Sequence, residues 1–183
     1  MISGIQCETD TAKAHTLDAE FMVEMEIFGL TTSTRTASAY ALILIEAGGS
    51  RRLPIIIGAY EAQAIALEME QIKPPRPMTH DLIMQIITDL GGQIEHVVVH
   101  HLKEGTYYAN ISIKGPISHH DVDARPSDAI ALAVRFTCPI YVDELVLEEA
   151  GVGHEEKPAE VGHMNPTKKP NTRSTEEKKS PLE

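Results

Sequence analysis

Two short stretches of the sequence each place an arginine, a hydroxyl group and a carboxylate beside the start of a predicted helix. The first contains Arg76, Thr79, His80 and Asp81, and the second runs over residues 123–135. Backbone N–H groups at a helix N-terminus are free to bind an anion, and a nearby arginine adds positive charge. Each stretch therefore has the composition of a phosphate-binding site. Ordinary helix capping, with each arginine paired to an aspartate, is the more common explanation of the same residues.

The second stretch predicts a buried helix over residues 127–136. Pro126 is tolerated at a helix start, and the Ser127 hydroxyl can accept a hydrogen bond from a free backbone N–H as an N-cap. Asp128 in the first turn suits the positive end of the helix dipole. Residues 129–134 carry no charge, which is typical of a helix in the middle of a domain.

The first stretch repeats this arrangement around another helix. Thr79 is its predicted N-cap, and Asp81 lies in the first turn. Arg76 precedes this helix, as Asp123 and Arg125 precede the other. The predicted elements therefore place an acidic and a basic side chain at the N-terminus of each helix.

Histidines offer two further candidates. His80 lies in the first helical turn, where it suits a general base or a phosphate contact, or equally a partly buried histidine bonded to Asp81 or to a backbone carbonyl. His119 and His120 precede Asp121 and Asp123, a plausible set of ligands for a divalent metal ion. Exposed strand histidines are common, however, and adjacent strand residues point to opposite faces.

Two glutamates on the predicted helix before residue 73 complete the candidates. Glu61 and Glu68 are two turns apart and share one face. They are either carboxylates available to a metal ion or members of a solvated helix face. The chain contains no P-loop, GxGxxG, HExxH or GxSxG motif, which removes the common nucleotide-binding, zinc-protease and serine-hydrolase sites.

The charge of the chain restricts how it can bind nucleic acid. The net charge is −11, and residues 1–150 carry 10 Lys and Arg against 21 Asp and Glu, whereas residues 151–183 are balanced. Domains that hold nucleic acid by neutralising phosphates are normally basic, so this mode is disfavoured. An acidic enzyme that uses a divalent cation is not excluded.

Composition and length indicate a single soluble domain. The chain has 183 residues, 42% of them hydrophobic, only 4% aromatic and no Trp, which predicts an aliphatic core. Cys7 and Cys138 are isolated, no apolar run reaches 18 residues, and the first 20 residues contain no apolar signal segment. We therefore expect a reduced, cytoplasmic protein without a disulfide or a membrane partner.

The order of the predicted elements indicates an α+β fold. Strands are expected from residue 21 and over 40–45, 53–57, 94–102, 107–114, 117–122 and 140–142. Helices are expected between 58 and 73, from 79 to 90, over 127–136 and as a turn over 143–147. The helices are segregated and do not alternate strictly with strands, which favours a mixed, largely antiparallel sheet. Residues 1–20 are predicted to be a flexible extension, 21–150 the domain, and 151–183 a disordered polar tail.

Four motifs, in this order, resemble the bifunctional nuclease family, a domain of bacteria and plants. They are Leu53-Pro54-Ile55-Ile56-Ile57-Gly58, Glu61-Ala62 with Ala64-Ile65, Arg76-Pro77 with Thr79-His80-Asp81, and Asp123-Ala124-Arg125-Pro126-Ser127-Asp128-Ala129-Ile130-Ala131-Leu132-Ala133. The resemblance extends from about residue 21 to about residue 142. It implies an α+β homodimer that hydrolyses DNA and RNA with little sequence preference. The resemblance does not by itself assign catalytic residues in this chain.

The residues within these motifs suggest a mechanism for such an activity. Asp81, Asp123 and Asp128 would hold Mg²⁺ or Mn²⁺, with Glu61 as a further carboxylate and His80 as the base. The phosphate would be bound by the remaining motif residues, which are Arg76, Thr79, Arg125 and Ser127. No organic cofactor is expected.

The competing hypothesis is a dimeric binding or regulatory module without enzymatic activity. In that case the motifs are structural, and Arg125 pairs with Asp81 or Asp123. The acidic composition and the scarcity of aromatic residues on which bases could stack favour this reading. The two hypotheses predict different structures. Loops that converge on an open cleft favour the enzyme, whereas buried and mutually paired loops favour the module.

Overall fold

A computed structural model describes residues 21–32 and 39–153. The predicted extension over 1–20 and the predicted tail from 154 onward lie outside the described residues. Within the described residues the chain forms eight strands and four helices. In chain order these elements are β1 (Met22–Thr32), β2 (Ala39–Glu46), β3 (Arg51–Gly58), α1 (Ala59–Met69), α2 (Thr79–Asp89), β4 (Gln93–Lys103), β5 (Thr106–Lys114), β6 (His119–Ala124), α3 (Pro126–Phe136), β7 (Ile140–Asp143), α4 (Glu144–Ala150) and β8 (Val152–Gly153).

All eight strands belong to one sheet, in the order β6-β5-β4-β7-β1-β2-β3-β8. Every neighbouring pair is antiparallel except β4 and β7, which are parallel. This confirms the predicted α+β class with a mixed, largely antiparallel sheet. The last strand was not predicted, since Val152 and Gly153 had been assigned to the polar tail but pair with β3.

The sheet is strongly curled. The Tyr107 hydroxyl in β5 donates a hydrogen bond of 3.3 Å to the carbonyl oxygen of Pro54 in β3, although these strands are second and seventh in the sheet order. Helix α4 also contacts both β3 and β4, which are separated by three strands. Arg51 in β3 strengthens this contact by binding the carboxylate of Glu144 in α4. The curled sheet therefore brings distant strands together around the helices.

Helix α3 lies in the core, as its lack of charge predicts. Its residues 129–133 are buried and pack with α1, α2, β4 and β5. The helix begins one residue earlier than predicted, because Pro126 is the first helical residue and Arg125 is the N-cap. The prediction that Ser127 caps this helix is wrong. Proline supplies the fixed φ angle of the first helical position, and Ser127 is placed inside the helix and buried.

The start of α2 corrects a second capping prediction. Met78 is the N-cap and Thr79 is the first helical residue, so Thr79 does not cap the helix. The carboxylate of Asp81 accepts a hydrogen bond of 2.8 Å from the Met78 backbone N–H and so folds back over the helix start. At α4, by contrast, a side chain caps the helix: Asp143 accepts a hydrogen bond of 2.9 Å from the backbone N–H of Leu145.

Helix α1 is shorter than the helix predicted between residues 58 and 73. Its buried residues are Ala62, Ala64 and Ile65. The helix ends at Met69, however, and both Met69 and Ile72 are about half exposed. The two prolines that follow, at 74 and 75, cannot continue a helix and the chain leaves the core before Ile72 can pack.

Candidate functional site

The starts of α1, α2 and α3 meet through a continuous set of hydrogen bonds. Arg125 donates to both carboxylate oxygens of Asp128, at 2.7 and 3.1 Å, and to Oε1 of Glu61 at 2.9 Å. Nε2 of His80 lies 3.1 Å from Oδ1 of Asp128. Glu61, His80, Arg125 and Asp128 are called the Arg125 cluster below. It joins residues from three helices that the sequence separates by up to 67 positions.

The members of the Arg125 cluster differ in their access to solvent. The Arg125 side chain is 68% exposed, whereas those of Asp128 and Glu61 are 28% and 17% exposed and that of His80 only 9%. The hydrogen bonds and charge of Asp128, followed by those of Glu61, raise the pKa of Arg125 above its usual value. The cluster therefore presents a permanently charged guanidinium outward, with the histidine behind it.

Gly58 allows Glu61 to reach this position. Gly58 is the N-cap of α1, and a Cβ there would collide with the Glu61 carboxylate, which folds back over the helix start. A carboxylate at a helix N-terminus is stabilised by the dipole and the free N–H groups. The absence of a side chain at Gly58 thus leaves room for the Glu61 carboxylate beside Arg125.

Arg125 lies on the rim of a cleft of about 840 Å³. The wall is formed by the end of β1, by β3, by the β4–β5 turn and by the start of α3. The lining residues are Thr31, Thr32, Ala41, Pro54, Ile55, Ile56, Ile57, Gly58, Gly105, Thr106, Tyr107, Arg125, Pro126 and Ser127. Burial, and to a lesser extent the charge of Glu149, raises the pKa of Tyr107, so its hydroxyl stays protonated and donates to Pro54.

Asp81, the carboxylate predicted at the start of α2, belongs to a structural ion pair. Asp81 binds Nε of Arg135 at 2.6 Å, and the Arg135 side chain is only 3% exposed. Arg135 also donates to the carbonyl oxygens of Ala131 and Ala64, so it holds α1, α2 and α3 together. Burial favours the neutral form of Asp81, but the hydrogen bonds from Arg135 and Met78 outweigh it and lower the pKa of Asp81.

Sequence reasoning did not single out Arg135. The signal was present, because Arg135 ends a helix whose other inward residues are apolar, and such a charge requires a partner. The expectation that Arg125 pairs with Asp81 or Asp123 is wrong. Arg125 pairs with Glu61 and Asp128, because Asp81 is already bound to Arg135 in the last turn of α3.

Five predicted site residues lie outside the Arg125 cluster, and one of them is Asp81, which is paired with Arg135. Arg76 is exposed in the segment between α1 and α2, and Thr79 is exposed at the start of α2. Asp123 is exposed on β6, opposite Asn110 of β5. Ser127 is buried and lines the cleft beside Arg125. Of the phosphate-binding candidates, the structure therefore brings Arg125 and Ser127 to one cleft.

The described residues do not form a preformed metal site. Over 21–32 and 39–153, no three His, Cys, Asp or Glu side chains are grouped as metal ligands, so Asp81, Asp123 and Asp128 do not converge. His119 instead lies 3.1 Å from the carboxylate of Glu95, and His120 lies 2.7 Å from the Ser118 hydroxyl. A dependence on Mg²⁺ or Mn²⁺ stays a prediction.

The two discriminating features named from the sequence are both present. The carboxylates of the Arg125 cluster are partly buried and paired with Arg125, as expected for a structural motif. Arg125 itself is exposed on an open cleft, as expected for an enzyme. None of the helices in the described residues is long and apolar enough to span a bilayer.

Comparison with known proteins identifies the family. Residues 42–155 match the family profile described as the bifunctional nuclease domain. The chain is 50% identical over 111 residues to an uncharacterized protein of Mycobacterium tuberculosis, which covers 61% of the chain and 66% of that protein. It is 28% identical over 116 residues to Bifunctional nuclease 1 of Arabidopsis thaliana, and 24% identical over 121 residues to Bifunctional nuclease 1 of Oryza sativa subsp. japonica.

The matches cover different fractions of these proteins. The chain spans just under two thirds of the mycobacterial protein. The alignment with the Arabidopsis protein includes 61% of this chain but only 36% of that protein. The alignment with the rice protein includes 64% of this chain and 37% of that protein. The family profile itself covers more than half of the chain and includes the whole cleft apart from the end of β1 and Ala41. The chain therefore belongs to the bifunctional nuclease domain family.

Proposed function

We propose that this chain is a nuclease that hydrolyses phosphodiester bonds of both DNA and RNA with little sequence preference. The observation that carries the proposal is the exposed Arg125 guanidinium on the rim of an open cleft. Family membership and the printed names of the rice and Arabidopsis relatives support it.

Arg125 is the phosphate-binding residue in this proposal. Nε and Nη2 of Arg125 already donate to Asp128 and Glu61, so the two N–H groups of Nη1 are the ones available to phosphate oxygens. Such a donor stabilises the charge that develops on the phosphate during hydrolysis. The bidentate hydrogen bonds to Asp128 and the bond to Glu61 fix the guanidinium in place. A preorganised donor needs less reorientation at the moment of reaction.

The carboxylates of the Arg125 cluster are the candidate general bases. Glu61 and Asp128 are partly exposed beside Arg125, so a water molecule next to a bound phosphate can donate its proton to one of them. His80 lies behind Asp128 and is almost buried. We therefore assign His80 to positioning Asp128, in place of the role of base that its sequence context suggests.

The charge of the cluster bears on cation dependence. Two carboxylates surround one arginine, so their negative charges weaken the attraction of Arg125 for a phosphate. Mg²⁺ is often held by one or two carboxylates together with substrate phosphates, and it neutralises their charge. We propose that any dependence on Mg²⁺ or Mn²⁺ arises from a cation that arrives with the substrate.

The test is cleavage of labelled single-stranded and double-stranded oligonucleotides of DNA and RNA, with Mg²⁺, Mn²⁺ or EDTA. Wild type is compared with Arg125→Ala and with Lys73→Ala, an exposed cation of the α1–α2 segment that lies outside the cleft. Removal of Arg125 is expected to lower kcat/KM by about 100-fold, as loss of one oxyanion donor does, while Lys73→Ala matches wild type. Equal cleavage by Arg125→Ala and wild type would place the activity elsewhere or in a contaminant.

A regulatory or binding module is the second candidate. It is favoured by the pairing of every carboxylate in the Arg125 cluster with Arg125 or His80, which accounts for the motif without catalysis. Absence of cleavage by purified wild type on all four substrates, with each metal, would select this function over the nuclease.

We also propose that the chain forms a homodimer through one face of α2. Leu82, Ile86 and Leu90 recur along this helix, and Ile117 in the β5–β6 loop lies nearby because Pro116 approaches Gly91. All four side chains are about half exposed or more, and monomers seldom expose several large apolar residues together.

A second copy suits this face because the face itself carries little charge. The carboxylate of the nearby Asp89 keeps its charge but accepts a hydrogen bond of 2.7 Å from Gln85, which satisfies one of its oxygens. Light scattering after size exclusion is expected to give a dimer for wild type and a monomer for Ile86→Glu. A wild-type monomer at micromolar concentration would refute the dimer, and a dimeric Ile86→Glu would place the interface elsewhere.

A further inference from the structure

The cleft beside Arg125 has the character of a small-molecule pocket. Its volume of about 840 Å³ lies within the range of ligand pockets, and Arg125 is the only charged residue among its fourteen lining residues in the described chain. The other lining residues are apolar, are glycines or carry hydroxyl groups. A ligand in this cleft would therefore make one strong ionic contact at the rim and mainly apolar and hydroxyl contacts inside.

A double helix does not match this arrangement. Proteins hold duplexes by neutralising several phosphates along the backbone, and this chain carries 10 Lys and Arg against 21 Asp and Glu over residues 1–150. Stacked, paired bases are also enclosed within the duplex and cannot enter a concave pocket without being flipped out. The electrostatic and the geometric requirements of duplex binding are thus both absent around Arg125.

An unpaired nucleotide does match it. Its phosphate can bind Arg125 at the rim, while its sugar and base enter the cleft against Ile56 and Tyr107. Ile56 is 58% exposed, and Tyr107 is the one aromatic residue of the lining. Burying a base against such side chains supplies the affinity that an acidic surface cannot obtain from phosphates alone.

Resting on the proposed nuclease function, we propose that the substrate of this site is single-stranded nucleic acid, one unpaired nucleotide of which occupies the cleft beside Arg125. Duplexes are then attacked only at ends, gaps or melted segments. The orientation follows from the same contacts: the phosphate held by Arg125 is the one attached to the nucleotide in the cleft.

The test uses a matched pair of charge-adding variants of the full chain. Ile56→Glu places a carboxylate in the cleft, and Leu145→Glu places one on α4, where the side chain is 70% exposed and does not line the cleft. Neither position belongs to the Arg125 cluster. Two readouts are taken. One is binding of a fluorescent single-stranded oligonucleotide, and the other is cleavage of that strand either free or as the paired stem of a blunt hairpin, scored only at internal positions of the stem.

We expect wild type to cleave the free strand at least about tenfold faster than the hairpin. Ile56→Glu should lower kcat/KM on the free strand about tenfold, because it removes one apolar contact and adds charge repulsion. Leu145→Glu should match wild type. Equal cleavage of strand and hairpin, unaffected by Ile56→Glu, would overturn this inference and leave the nuclease intact.

The binding readout separates the two proposals. Absence of all cleavage, with strand binding that Ile56→Glu weakens and Leu145→Glu does not, would refute the nuclease but support occupancy of the cleft by an unpaired nucleotide. Absence of both cleavage and binding would overturn both proposals.

Discussion

Nε2 of His80 lies 3.1 Å from Oδ1 of Asp128, and this hydrogen bond joins two helix starts that are 48 residues apart in the chain. Both residues occur in the two stretches that carry arginine, carboxylate and hydroxyl groups in the sequence. The bond therefore makes these stretches parts of one site, in which the buried ring of His80 supports the carboxylate that holds Arg125.

Replacing His80 tests this supporting role. His80→Ala removes a buried side chain and leaves Asp128 with one partner fewer, and we expect unfolding to become about 1–3 kcal/mol easier. If His80 positions Asp128, kcat should fall while KM stays near the wild-type value, because Arg125 still binds the phosphate. His80→Gln, which keeps a donor, should recover part of kcat. A variant with unchanged kcat and reduced stability alone would show a purely structural role.

Asp81→Asn tests the ion pair with Arg135. The loss of one partner leaves the almost fully buried guanidinium without its counter-charge, which is expected to cost about 3 kcal/mol of unfolding free energy at pH 7. Chemical denaturation of wild type and variant measures this difference. A difference close to zero would mean that water or another acid replaces Asp81.

The pH dependence of the same pair follows from the lowered pKa of Asp81. Because the folded-state pKa lies below the ordinary 3.8, the unfolded chain takes up the proton first as pH falls. The stabilisation is complete above pH 3.8 and is lost as pH falls through the folded-state pKa. The stability difference between wild type and Asp81→Asn should therefore be constant near neutral pH and shrink below pH 3.8. A difference that grows in acid would contradict this linkage.

Gly58→Ala tests the space that Glu61 occupies. The φ angle of Gly58 is −74°, which alanine adopts freely, so stability should change by less than about 1 kcal/mol. The added methyl group must displace the Glu61 carboxylate from Arg125. Because that carboxylate helps to fix the guanidinium, kcat/KM for cleavage should fall. In a Glu61→Ala background the same substitution should have no further effect. An effect of equal size in both backgrounds would assign it to the backbone.

Cys138 provides a check on the packing around the end of α3. Burial raises the pKa of its thiol to about 11, so little thiolate is present at pH 8. In a Cys7→Ser variant, alkylation by iodoacetamide should be slow in buffer and fast in denaturant. Rapid alkylation of the folded protein would show that this region opens readily.

The sequence predicted the parts of the fold that depend on local patterns. The uncharged run over 129–134 located a buried helix, and the strand expected over 107–114 agrees with β5 to within one residue. Capping was predicted less well. Ser127 and Thr79 have the right side chains for N-caps, but Pro126 fixes the start of α3, and the Asp81 carboxylate satisfies the Met78 backbone N–H.

The partners within the site were less accessible to sequence reasoning. The pattern identified Glu61, His80, Arg125 and Asp128 as candidates, but hydrogen-bond partners depend on how α1, α2 and α3 pack. The pairing of Asp81 with Arg135 follows from that packing and leaves Arg125 to Asp128 and Glu61. The cleft was also unpredictable, because its walls come from β1, β3, the β4–β5 turn and α3, which meet only through the curl of the sheet.

The hydrogen bond between Tyr107 and Pro54 has a consequence for the order of folding. It joins residues 53 positions apart whose strands lie near opposite edges of the sheet, so it closes only after the intervening strands have paired. Contacts of such long range form slowly because a large loop must be closed first. We therefore expect the cleft beside Arg125 to be one of the last features to form as the chain folds, and to be lost on fraying of the sheet before the buried helix unfolds.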